Sequence, residues 1–165
     1  MRAKRVQDDA ALLFAKLKPS NEELNQTLGW AALLHEVGMN VSHTNYHKHS
    51  SYIIENADLP GFTNSEQKLM GALVLAQKGN LRKIGDLTVN PDFAKALLAL
   101  RLAIIFLHSR LEVNFDQLRL RMKNKIELEF ARNWLEEHPT ASYWLEKERE
   151  WWSQIGIDLL IKSAN

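Results

Sequence analysis

The sequence predicts an α+β chain that is mostly α, with a helical domain over residues 1–112 and a small β-β-α-β domain over residues 113–165. Two observations carry this. Through the first part, apolar residues recur at helical spacing and are bounded by cap and stop signals. Near Val113 the period changes, and "LRLRM" and "IELEF" alternate strictly between apolar and charged residues, as half-buried strands do.

In chain order, Val6, Ala10, Leu13 and Leu17 lie on one helical stripe that begins almost at Met1. A start so close to mid-helix is expected of a piece of a longer protein. "KPSNEE" breaks the pattern, and Ser20 with Glu23 reads as an S-x-x-E capping box. Leu24, Leu28, Ala31 and His35 continue along one face of the next helix, with Gly38 placed to stop it. A third helix is expected from Tyr46 to about Asn56, ending at "DLPGF". Thr63 and Glu66 repeat the capping box before a helix marked by Leu69, Leu73 and Ala76, and "QKGN" closes it. Asn90 and Pro91 are a good N-cap and first residue for a long helix through "DFAKALLALRLAIIFLH". That helix is apolar nearly all round and should be a central core element.

The register of the two strands can be derived. With Lys123 to Lys125 as a three-residue turn, Leu118 faces Phe130, Leu120 faces Leu128 and Met122 faces Ile126. The same register sets Arg119 opposite Glu129 and Arg121 opposite Glu127, pairs worth a few tenths of a kcal/mol, up to about 1. A two-residue turn would oppose leucines to glutamates on every rung. A Trp-rich helical stretch split by Pro139 follows, with Trp144, Leu145, Trp151 and Trp152 as apolar anchors. "IDLLI" is a candidate third strand. The carboxylates of "LEEH" and "LEKERE" sit among basic residues, as on a solvated helix face.

Composition narrows the function. Apolar residues at 45% and charged residues at 25% describe a soluble globular chain. Without cysteine there are no thiolate metal sites, disulfides or cysteine nucleophiles. That fits a reducing cytoplasm, the expected location, and "MRAKRVQDDA" lacks the apolar core of a signal peptide. The apolar run "LLALRLAIIFL" is interrupted by Arg101 and too short to span a bilayer, so no membrane is expected. Net charge is +1, so polyanion binding needs a local basic patch, and no specific nucleic-acid binding is expected.

"HEVGMNVSHTNYHKHS", from His35 to Ser50, holds four of the six histidines. His35 followed by Glu36 resembles the His-Asp step of the HD metal-dependent phosphohydrolases. A longer set of motifs, "HEVG", "YHKHSSY", "DLPGF" and "LRLAIIF", resembles the C-terminal region of the exopolyphosphatase/guanosine pentaphosphatase (Ppx/GppA) family. The resemblance implies an HD-like helical domain followed by a small terminal domain. It also implies that an N-terminal actin-like domain does the phosphoanhydride hydrolysis, with a divalent cation (Mg) in the parent enzyme and no cofactor in this chain. Carried over by motif, the HD metal positions are Arg2, the pair His35 and Glu36, and Ile104. A cation, a longer carboxylate and an aliphatic side chain stand there, so the metal site is expected to be lost and no residue of this chain to be catalytic.

Other roles follow from the residues themselves. His35 lies on an apolar stripe and reads as a buried, hydrogen-bonded core histidine; Glu36 reads as a cap or bridge to another helix, or as functional. His43, His47, Lys48 and His49 could converge with Lys78, Arg82 and Lys83 on phosphate oxygens, or form a solvated loop and helix start. Arg101 is either paired internally or aimed at an anion or an interdomain surface. The leading expectation is a non-catalytic module that binds polyphosphate or a phosphorylated guanine nucleotide and builds a homodimer beside the actin-like catalytic domain. The alternatives are a free-standing HD-type metal-dependent phosphohydrolase and a ligand-free dimerisation scaffold.

Overall fold

The computed structural model describes residues 2–40, 42, 44–109 and 114–165. Its helical part contains α1 (Arg2–Lys16), α2 (Glu23–Leu34), α3 (Tyr46–Asn56), α4 (Asn64–Leu75) and α5 (Pro91–His108). The tail contains β1 (Arg119–Met122), β2 (Ile126–Phe130), the short α6 (Trp134–Glu137), α7 (Pro139–Ser153) and β3 (Leu159–Ser163). The boundary expected at 112 and 113 lies outside the described residues. No described helix is long and apolar enough to cross a membrane.

The helices form where their patterns and caps say. Val6, Ala10, Leu13 and Leu17 of the first stripe are all buried, and α1 packs on α2 and α5. Thr63 and Glu66 make both bonds of the capping box that opens α4. Asn90 Oδ1 accepts from the amides of Asp92 and Phe93, with Pro91 as the first residue of α5. Nearly every side chain of α5 is buried, from Phe93 to Phe106. It is the central helix that its all-round apolarity predicts.

Two local expectations are corrected. Ser20 does not cap α2: its amide and hydroxyl both donate to the Asp92 carboxylate, at 2.9 and 2.6 Å, and Asn21 accepts from Glu23 instead. Helix α2 stops at Leu34 without Gly38, which sits inside a 3-10 turn over Val37–Asn40. The chain also adds a 3-10 segment over Arg82–Val89 that the sequence reading did not contain.

The sheet has the order β1-β2-β3. β1 and β2 are antiparallel, with Arg119 opposite Glu129, Leu120 opposite Leu128, Arg121 opposite Glu127 and Met122 opposite Ile126, the register derived above. β3 begins at Leu159, two residues later than expected, and runs parallel to β2. The parallel pairing requires a crossover, which α6 and α7 supply. Leu120, Met122, Ile126, Leu128, Phe130 and Leu159 are buried, and Leu145 and Trp152 of α7 are buried in the same core. Trp144, expected as an anchor, is 46% exposed. Glu148 reverses the other expectation for α7: it is not on a solvated face but 4% exposed.

Candidate functional site

Of the residues that the HD resemblance singles out, Arg2, His35 and Glu36 meet in space. Arg2 lies in the first turn of α1, His35 and Glu36 follow α2, and Ile104 lies one turn before His108 on α5. Arg2 Nη2 donates to Glu36 Oε1 at 2.7 Å and stands 3.5 Å from His108 Nε2. His35 is fully buried, and its Nδ1 lies 2.6 Å from the Ala32 carbonyl. Nδ1 therefore carries the proton, since a carbonyl can only accept. Nε2 is left as a lone pair 3.4 Å from Glu36 Oε1. Burial holds the His35 pKa below its ordinary value, which keeps the ring neutral. At Glu36 burial pushes upward, but the hydrogen bond and charge of Arg2 help to outweigh it and hold the carboxyl below its usual range.

This donor set does not suit a divalent cation. A guanidinium already occupies the carboxylate and lies beside the second imidazole, and Ile104 offers no donor atom. Among the described residues no group of three His, Cys, Asp or Glu has a metal-holding arrangement. Arg2 supplies the positive charge of the site. His108 was missed by the sequence reading. Its signal was available: it is one helical turn beyond Ile104.

The second cluster is cationic. His47, Lys48 and His49 lie in the first turn of α3, opposite Lys78 and Lys83 from the segment after α4. His47 is buried and its Nδ1 has no partner among the described residues. Burial, then the charges of Lys83, Lys78, Lys48 and His49, lower its pKa to about 4. Lys83 is lowered to about 8 by burial, then by Arg101, Lys48 and Lys78. Its Nζ donates to the Lys78 carbonyl at 3.0 Å, while Lys78 Nζ lies 4.3 Å over the Tyr46 ring. These mutual effects mark His47, Lys48, His49, Lys78 and Lys83 as one electropositive neighbourhood.

The other phosphate candidates are placed differently. Arg82 is exposed and is not among the charges that act on His47. His43 lies outside the described residues. Arg101 turns inward: it is 2% exposed, and it donates to the Glu148 carboxylate from Nε and from Nη2, the latter at 2.6 Å. It also donates to the carbonyls of Ala76 and Gly79. Of the alternatives open to Arg101, internal pairing describes this geometry.

His47 makes stability depend on pH. An unfolded histidine titrates near 6.5 and the folded one at about 4, so between those values the unfolded chain binds more protons. The contribution is complete above pH 6.5 and is lost as pH falls through 4. Allowing for solvent screening, the loss is expected to be about 1–2 kcal/mol. Urea unfolding of wild type and His47→Gln at pH 7 and pH 4.5 checks it; the two proteins should lose different amounts of stability on acidification.

A mostly helical α+β fold with a small three-stranded sheet, in which Arg2 pairs with Glu36 beside His108, is the class of protein that this fold and site define. Residues 1–149 match the family model "Ppx/GppA phosphatase, domain III", and the chain belongs to that family. It is similar to the guanosine-5'-triphosphate,3'-diphosphate pyrophosphatase of Pseudoalteromonas translucida (strain TAC 125), 31% identical over 134 residues. That alignment covers 79% of this chain and 27% of the relative, so the chain spans about a quarter of the length of the curated relative it matches.

Proposed function

We propose that this chain is the non-catalytic, phosphate-holding module of a phosphoanhydride hydrolase, and that it binds polyphosphate or a phosphorylated guanine nucleotide at Lys48, Lys78 and Lys83. In the proposal the hydrolytic centre and its magnesium belong to an N-terminal actin-like domain of the same protein, the whole is a cytoplasmic homodimer, and the module raises affinity for long substrates by adding phosphate contacts. The observation that carries it is the crowding of three lysines and His49 around His47, with Lys83 pushed down to about 8. Like charges held together and partly desolvated cost stability unless an anion relieves them. An ammonium cluster with donors to spare suits phosphate oxygens.

Titration with inorganic tripolyphosphate at several salt concentrations tests the reading. Wild type should bind with a steep salt dependence, because each phosphate neutralised releases counterions. Lys48→Ala with Lys83→Ala should weaken binding roughly tenfold, about 1.4 kcal/mol, and flatten the salt slope. Binding should also weaken as pH rises through about 8, where Lys83 loses its proton. No salt-sensitive binding would leave a ligand-free scaffold as the better reading, and an unchanged affinity in the double variant would sink the placement at these lysines.

A further inference from the structure

Beside the lysine cluster, Ile104, Ile105 and His108 of α5 and Trp144, Lys147 and Trp151 of α7 line one cavity of about 270 Å³. On each helix these positions share one face, at spacings of three and four residues. The bidentate pair of Arg101 and Glu148 bridges the two helices within the same lining. We propose that this cavity receives the base of a phosphorylated nucleoside whose phosphates extend onto Lys78 and the cluster around His47. The proposal rests on the phosphate-holding reading above and narrows its ligand from any phosphate chain to a nucleotide.

Three features of the cavity separate a base from a bare polyphosphate. Its lining is largely aromatic and aliphatic, with Trp144 46% exposed. Apolar and aromatic walls stabilise a planar ring by burial and stacking and do nothing for an ionised phosphate chain. The second feature is Gln77, which lines the cavity and is 2% exposed. Its Nε2 donates to the carbonyls of His35 and Val74, at 2.7 and 3.0 Å, which fixes the orientation of the amide. Oε1 is left without a partner among the described residues. A buried acceptor left unpaired is costly, and a ligand that carries N–H or O–H groups can satisfy it. A nucleobase has amino and imino N–H groups; an ionised polyphosphate has acceptors alone.

The third feature is continuity. Tyr46 and Lys78, which contact each other, both line the cavity, and Tyr46 directly precedes His47 at the start of α3, so one ligand can occupy both places. The volume lies just below the roughly 300 Å³ at which drug-sized sites begin. It has room for one ring system, with the phosphates left outside on the lysines.

The test compares GTP with inorganic tripolyphosphate, which carry the same three phosphates, by calorimetric titration of the full chain. Wild type should bind GTP at least tenfold more tightly. Ile104→Trp, which fills the cavity, should bring GTP to the tripolyphosphate affinity and leave tripolyphosphate unchanged. Trp144→Ala removes a wall at an exposed position, so folding is spared if the filled variant fails to fold, and it should shrink the preference in the same direction. Equal affinities in wild type, or a GTP preference that survives both substitutions, would overturn the base pocket while leaving the lysine cluster standing. A chain that binds neither ligand overturns both readings. One that binds GTP but not tripolyphosphate supports the cavity and sinks the cluster.

Discussion

Glu148→Ala is expected to destabilise the protein by about 3–5 kcal/mol, a large share of the stability that a domain possesses, and to lower Tm by roughly 10 °C. The reason is the position of Arg101. Its guanidinium is buried on the central helix and holds four acceptors: both Glu148 oxygens and the carbonyls of Ala76 and Gly79. One side chain thereby joins the end of α4, the middle of α5 and the face of α7. Removing the carboxylate leaves a buried, unneutralised cation and orphans the Trp152 Nε1–H, which donates to Glu148 Oε2 at 2.9 Å. Arg101→Met should cost a similar amount, since it leaves a carboxylate 4% exposed without its counterion.

The double variant Arg101→Met with Glu148→Leu separates the cost of an unpaired charge from the worth of the pair. Replacing a buried ion pair by apolar groups is often close to neutral. Here the Ala76 and Gly79 carbonyls and the Trp152 indole would still lose their partners, each at about 1–3 kcal/mol if no water reaches them. The double variant should therefore be more stable than either single variant and less stable than wild type. Losses that simply add would show that Arg101 and Glu148 do not act as a unit.

That pair also marks where sequence reasoning stops. Arg101 stood out because a charge interrupts an apolar helix, and a buried charge demands a partner. The partner was hidden, because Glu148 sits in "LEKERE", where alternating charges read as solvent. Glu146 and Glu150 are exposed there, and only the third dimension tells Glu148 from them. Ser20 failed for the same reason, since its partner Asp92 is 72 residues away. What was legible was local. The Thr63 box, the Asn90 cap and the β1-β2 register each depend on residues within a dozen positions, and each formed as read. At the candidate site, the family motifs located Arg2, His35 and Glu36, and "YHKHS" located His47 and Lys48. Gln77 carries no signal that separates it from its neighbours, Trp144 reads only as an apolar anchor, and His108 is marked only by its place one turn beyond Ile104. They become a cavity only when α5 and α7 are packed together.

Gly38→Ala is expected to cost about 3 kcal/mol, near the upper end of what overpacking usually does, although the sequence suggested only a helix stop. A Cβ at this position would come within 3.0 Å of the Ser50 amide nitrogen, the Tyr46 carbonyl oxygen and the His49 Cβ. Two of these are backbone atoms in the first turn of α3, which cannot swing aside as a side chain does. The Gly38 amide already donates to Ser50 Oγ at 2.7 Å, so the turn and the helix are held at contact distance from both sides. Relief requires the start of α3 to move outward, and that turn carries Tyr46, His47, Lys48 and His49. The substitution should therefore do two things at once: lower the urea midpoint, and weaken tripolyphosphate binding roughly tenfold, about 1.4 kcal/mol, with every lysine still present. Ser50→Ala supplies the control, because it removes the hydrogen bond without the collision; it should cost about 1 kcal/mol of stability and leave binding close to wild type. If Gly38→Ala loses stability but binds tripolyphosphate normally, the anion does not depend on where α3 begins, and the histidine-lysine turn is not its seat.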